Sequence, residues 1–124
     1  ETGGWTALRL AANQGYSDIV KVLLEYGAHV DSEYQAGGTP LMSTTASGHT
    51  ETVVFFLQTG AAVNKQKKDG RTSLEIAACY GHLDIVIALV DHGAIVDLAD
   101  NDGWTPLMSA SALGRKGIVS VLLQ

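Results

Sequence analysis

Residues 70–97 read GRTSLEIAACYGHLDIVIALVDHGAIVD, and their caps, apolar stripes and glycines spell two short helices joined by a tight turn. Thr72 offers its hydroxyl to the first free backbone amides of a helix. Leu74, Ala77 and Ala78 then fall at i, i+3 and i+4, one narrow stripe on that helix. Gly81 ends it, because glycine takes the left-handed conformation a tight turn needs. Asp84 sits in the first turn of a second helix, where the macrodipole favours an acid. Leu83, Ile85, Val86, Leu89 and Val90 give that helix a broader apolar face. Gly93 stops it, and residues 94–102 form a polar link with Asn101-Asp102-Gly103 as its turn signal.

Working outward, the same pattern recurs every 33 positions: Gly4, Gly37, Gly70 and Gly103, then Thr6, Thr39, Thr72 and Thr105, then Leu8, Leu41, Leu74 and Leu107. Gly15, Gly48, Gly81 and Gly114 keep the register, with no insertion. Pro40 and Pro106 follow the threonine in two copies, where a missing N–H is harmless. The 124 residues therefore divide into units at about 1–33, 34–66, 67–99 and 100–124, the last truncated. A fixed period of this size marks a stack of supersecondary units, each touching only its neighbours. Helices under about 12 residues are marginal alone, so stability has to come from stacking. The alanine pair lets one unit approach the next, while Leu, Val and Ile of the second helix fill the layer behind.

Composition narrows the function. Hydrophobic residues make up 46% of the chain, enough for a continuous core. A net charge of −5 argues against sequence-independent nucleic-acid binding, which needs clustered Lys and Arg. The longest apolar run, residues 85–90, falls far short of the ~20 residues of a membrane-spanning helix. The single cysteine, Cys79, cannot close an internal disulfide and fits a reducing compartment, so an intracellular, cytoplasmic monomer is expected. Glu1, Thr2 and Gly3 carry no functional weight.

These residues resemble the ankyrin-repeat family. The pattern Gly-x-Thr-Pro-Leu-x-x-Ala-Ala-x-x-Gly-His-x-x-Ile-Val-x-x-Leu-Leu-x-x-Gly-Ala-x-Val-Asn/Asp is met at nearly every position of residues 70–97, and in register through essentially the whole chain. The resemblance implies an all-α solenoid of stacked antiparallel helix pairs with projecting β-hairpin-like loops, and a curved surface made of loop tips and first helices. It also implies that His49 and His82, after the turn glycine, tie neighbouring turns together. Departures stand out. Arg9, Met42, Glu75 and Met108 occupy the place where the family has histidine. The second copy has Ser43-Thr44-Thr45 for alanines and Phe55-Phe56 for aliphatics, so its hydroxyls need partners near the core. Gly117 replaces an acidic helix-start residue, and its helix is expected to be the loosest. Both end units keep apolar outer faces (Leu8, Ile19, Val20, Leu23; Ile118, Val119, Leu122, Leu123), as expected of a piece of a longer array. Asn64 is only a weak match to the asparagine that such repeats can have hydroxylated, because Ala62 and Phe56 depart from its usual setting.

Catalytic and metal motifs are not found. Cys79 and His82 have no second Cys–His pair, no nucleophile elbow surrounds a serine, and the glycines follow the repeat rather than a phosphate loop. Neither a metal nor a cofactor is expected. The sequence reads as a non-catalytic protein-interaction module. With positions 8, 11 and 12 of the first helix in the core, positions 10, 13 and 14 and their repeats face away. That off-core set, with Trp5, Gly38, Arg71 and Trp104 beside it, describes a groove. Its expected partner-binding residues are Met42, Lys68, Arg71, Ile76, Tyr80, Asn101, Trp104, Met108 and Leu113. Lys65, Lys67, Lys68 and Arg71 precede Asp97, Asp100 and Asp102, so a partner with an acidic stretch followed by basic residues suits the order. A structural spacer within a longer array, or the substrate-targeting region of a multidomain enzyme, are the alternatives.

Overall fold

The computed structural model describes the backbone of residues 2–124 and the side chains of residues 7–124. The side chains of Trp5 and Thr6, both named above, lie outside the described residues. Among the described residues eight α-helices form: α1 (Thr2–Gln14), α2 (Ser17–Glu25), α3 (Pro40–Ser47), α4 (Thr50–Gln58), α5 (Ser73–Tyr80), α6 (Leu83–Asp91), α7 (Pro106–Ala112) and α8 (Lys116–Leu122). They include no β-strand. Successive first helices α1, α3, α5 and α7 pack side by side, and successive second helices α2, α4, α6 and α8 form the layer behind.

Three helix starts are capped as their sequence requires: Thr39, Thr72 and Thr105 are extended, and each Oγ1 accepts the N–H three residues on, from Met42 at 3.4 Å, Glu75 at 3.3 Å and Met108 at 3.2 Å. In the first unit α1 already begins at Thr2, upstream of Thr6. Between the layers runs one core: Leu8, Ala11, Ala12, Leu41, Leu74, Ala77, Ala78 and Ala110 from the first helices meet Val20, Val53, Phe56, Ile85, Val86, Leu89, Ile118 and Leu122 from the second. Gly117 lies in α8, with Leu83 against the place a Cβ would take, 3.3 Å away.

The hydroxyls of the second unit are unequally served. Ser43 Oγ is hydrogen-bonded to the Tyr34 hydroxyl. Thr44 Oγ1 donates to the Ala12 carbonyl at 3.2 Å. Thr45 Oγ1 is buried and has no partner.

Neighbouring turns are tied as the resemblance implies. His49 Nε2 donates to the Asn13 carbonyl at 3.0 Å, and His82 Nε2 to the Ala46 carbonyl at 3.4 Å. In the next unit Arg115 takes this place, its Nη2 donating to the Cys79 carbonyl at 3.0 Å. The rings need a bare backbone beneath them: a Cβ on Gly48, whose φ is +79°, would lie 2.8 Å from the His82 ring. That glycine is held by close approach as well as by left-handed backbone.

Candidate functional site

Three loop tips stand beside the first helices. Each is closed like a hairpin by one backbone bond: Tyr34 N–H to Gly38 O at 2.9 Å, Lys67 N–H to Arg71 O at 2.9 Å, and Asp100 N–H to Trp104 O at 2.8 Å. Adjacent tips are joined in turn, Lys68 N–H donating to Ala36 O at 2.8 Å and Asn101 N–H to Asp69 O at 2.9 Å. Aspartates brace the tips from within. Asp69 Oδ1 accepts from Arg71 N–H at 3.0 Å, and Asp100 Oδ1 accepts from both Asp102 and Trp104 N–H at 2.9 Å. Asn64 bridges two units, its Nδ2 donating to Gly93 O at 3.2 Å and its Oδ1 accepting from Ile95 N–H at 2.8 Å. Both polar atoms of that amide are thus engaged in structure.

Between the tips and the first helices lie two open depressions that share Arg71. The first, about 440 Å³, is cationic at its edges through Arg9, Lys67 and Arg71 and is rimmed by Tyr34 and Tyr80. Arg9 stacks its guanidinium 4.3 Å above the Tyr34 ring. The second, about 480 Å³, is acidic: Asp69, Glu75, Asp100 and Asp102 line it together with Trp104 and Leu113.

The residues singled out by sequence distribute as follows. Arg71 is half-buried at the border of the two depressions. Tyr80, 54% exposed, stands over the first, and Trp104 and Leu113, 41% and 52% exposed, over the second. Met42 and Ile76 line the first but are only 3% and 6% exposed, so they form its floor. Lys68 and Asn101 are exposed on adjacent tips, where Asn101 Nδ2 donates to the Lys68 carbonyl at 2.7 Å, and Met108 is exposed on α7; these three line neither depression.

One expectation is corrected. Positions 10, 43, 76 and 109 do not all face outward: Leu10 is exposed, but Ser43, Ile76 and Ser109 are buried. The inner first helices α3 and α5 contact a neighbour on both flanks, and Ser109 of α7 meets Glu75 of α5, so the open face is reached by Asn13 and Gln14, Ala46 and Ser47, Cys79 and Tyr80, and Ala112 and Leu113.

Sequence reasoning left Glu75 without a role, although it departs from the family at that position. It is the third residue of α5, 2% exposed, with Oε2 accepting from Ser109 Oγ at 3.1 Å and Oε1 without a partner. Burial raises its pKa above 4.5, the neighbouring Asp100 adds to that, and the Ser109 bond and Arg71 act against it.

A stack of capped helix pairs with braced tips and a shallow two-part face defines a repeat solenoid that offers an extended surface. A family model described as three copies of the ankyrin repeat matches residues 1–67 and 41–124, and the chain belongs to the ankyrin-repeat family. A putative ankyrin repeat protein of Rickettsia bellii (strain RML369-C) is 49% identical over 43 residues, which is 35% of this chain and 18% of that protein. Ankyrin repeats are in general non-catalytic modules for protein–protein interaction. Among the described residues no helix is long and apolar enough to cross a membrane.

Proposed function

We propose that this chain is a non-catalytic interaction module that holds a segment of a partner protein, as a monomer, along the strip of loop tips and first helices. The observation that carries the reading is the strip itself: Tyr80, Trp104 and Leu113 are large, substantially exposed side chains gathered beside Arg71. Aromatic and arginine side chains at the centre of a patch are the usual anchors of an interface. The order of charge supports an extended partner with an acidic part over Arg9, Lys67 and Arg71 and a basic part over Asp69, Asp100 and Asp102. Met42 and Ile76 act as apolar floor, and Lys68, Asn101 and Met108 as periphery. The module serves a larger cytoplasmic scaffold or adaptor with further repeats, a reading supported by Leu10 and Ile19. These are 59% and 50% exposed, whereas Ile76 and Ile85 at the same places two layers inward are 6% and 0% exposed.

The test is affinity capture from cell lysate with mass spectrometry, comparing the wild type with an Arg71→Glu, Tyr80→Ala, Leu113→Ser variant. Circular dichroism first establishes that both are folded. A protein captured by the wild type and lost from the variant supports the reading. Equal capture by both overturns the surface assignment, and no capture by either favours a structural spacer.

A further inference from the structure

We propose that the acidic depression between α5 and α7 is a socket for one basic side chain, lysine or arginine, of the bound partner segment, with Glu75 as its buried counter-charge. The inference rests on the interaction reading above and names the chemistry at one point of that surface.

Three observations converge on it. Glu75 is 2% exposed, yet one of its two carboxylate oxygens has no hydrogen-bond partner. A buried carboxylate oxygen left unserved is costly, so a donor arriving there is strongly favoured. Asp69, Asp100 and Asp102 surround the same depression and give it a negative potential that selects a cationic donor over an amide or hydroxyl. The walls suit an alkyl stem carrying a charge: Trp104 lines the depression from the loop tip, and Ala112 and Leu113 line it from the C-terminal end of α7. The chain's own nearby cation does not fill the place. Arg71 lines both depressions but leaves Glu75 Oε1 unbonded. Nor do the acids suit a metal ion, since among the described residues no three His, Cys, Asp or Glu side chains converge closely enough to hold one. A side chain entering from a partner meets one deep acceptor and an acidic rim, the arrangement of a specificity socket rather than a coordination sphere.

The test selects a random peptide library displayed on phage against the folded wild-type chain, then measures the enriched peptides on Glu75→Gln and Asp100→Asn. Both substitutions keep the size of the side chain, and the Asn retains an oxygen for the Asp102 and Trp104 amides. Circular dichroism checks that both variants are folded. The expected peptides carry Lys or Arg at one fixed position. Replacing that residue with norleucine weakens binding to the wild type about tenfold and to Glu75→Gln less than about twofold. Asp100→Asn falls between. Enriched peptides without a basic position overturn the socket and leave the wider surface reading standing. So do peptides whose basic residue contributes equally to wild type and Glu75→Gln. Peptides that keep the basic preference but are indifferent to Tyr80→Ala overturn the wider reading and keep the socket. A library from which nothing is enriched overturns the socket.

Discussion

Thr44 and Thr45 are neighbours on α3, both fully buried, and only one of their hydroxyls is hydrogen-bonded. The same substitution at the two positions therefore has opposite consequences. Thr45→Val replaces an unserved hydroxyl with a methyl of similar shape. Leaving such a group unpaired costs about 1–3 kcal/mol, so removing it should stabilise the chain by about that amount. In a chain this size the gain raises Tm by roughly 3–5 °C per kcal/mol. Thr44→Val instead deletes the 3.2 Å bond to the Ala12 carbonyl, which keeps its 3.1 Å bond from the Gly15 N–H. The acceptor is not orphaned, and the cost should stay near 1 kcal/mol. Helix propensity and burial are nearly the same at both sites, so the difference in sign isolates hydrogen bonding. Urea unfolding followed by circular dichroism reads both variants as midpoint shifts at constant m. Should the added methyl crowd the site, Thr45→Ala is the check. It restores the residue found at Ala12 and Ala78 and should be close to neutral, the lost methyl offsetting the removed hydroxyl. Destabilisation by both Thr45→Val and Thr45→Ala, or stabilisation by Thr44→Val, would refute the cost assigned to the unserved hydroxyl.

Three further outcomes follow from particular contacts. Glu75 has a raised folded-state pKa, so between about 4.5 and that value the native chain binds more protons than the unfolded one, and stability falls as pH rises through the interval. Arg71, Asp100 and Ser109 are the groups acting on it, and Glu75→Gln should remove the fall and leave the variant more stable at neutral pH, seen in midpoints measured across a pH series. Gly70→Ala should destabilise by roughly 2–4 kcal/mol, because its φ is +87° and a Cβ would lie 2.6 Å from the Asn101 nitrogen and 2.9 Å from the Asp100 Cα; a thermal melt within 1 kcal/mol of wild type would contradict this. Ala36 holds φ +62° in the tip formed by residues 34–38, so Ala36→Gly should stabilise by about 0.5–1 kcal/mol in the same melts, and a loss of stability would refute the strain.

The periodic features were legible in the sequence. Thr39, Thr72 and Thr105 cap helices, Gly48 and Gly81 end them, and His49 and His82 tie turns, because each role is set by a residue's place within one repeat. What depends on the distance between repeats was not. Helical periodicity says that positions 43 and 76 point away from the helix-pair core. It says nothing of how closely the next first helix abuts, and that closeness buries Ser43 and Ile76. Arg115 taking the histidine's place was hidden for a related reason, since a guanidinium reaching a carbonyl of the previous unit needs that unit's position. The left-handed Ala36 carries no local mark, because the neighbouring units place Asp69 and Asp102 at that point and keep φ negative there.

Among the described residues the buried side-chain atoms left without partners are Thr45 Oγ1, Glu75 Oε1 and Arg115 Nε, and all three sit where the chain departs from its own repeat. The helix-pair core at these layers is otherwise built of apolar and small side chains, so a polar departure enters a layer that supplies no partner by default. Thr44 and Arg115 find backbone carbonyls of the preceding unit, and their departures are absorbed by the stack. Thr45 is sealed on all sides at 0% exposure, so its hydroxyl can only be a cost. Glu75 differs in where it leads. Its side chain lines a depression together with three aspartates, Trp104 and Leu113. A buried carboxylate whose side chain lines a depression among like charges is one a binding partner can serve, and that is why the same kind of defect reads as a cost at Thr45 and as recognition chemistry at Glu75.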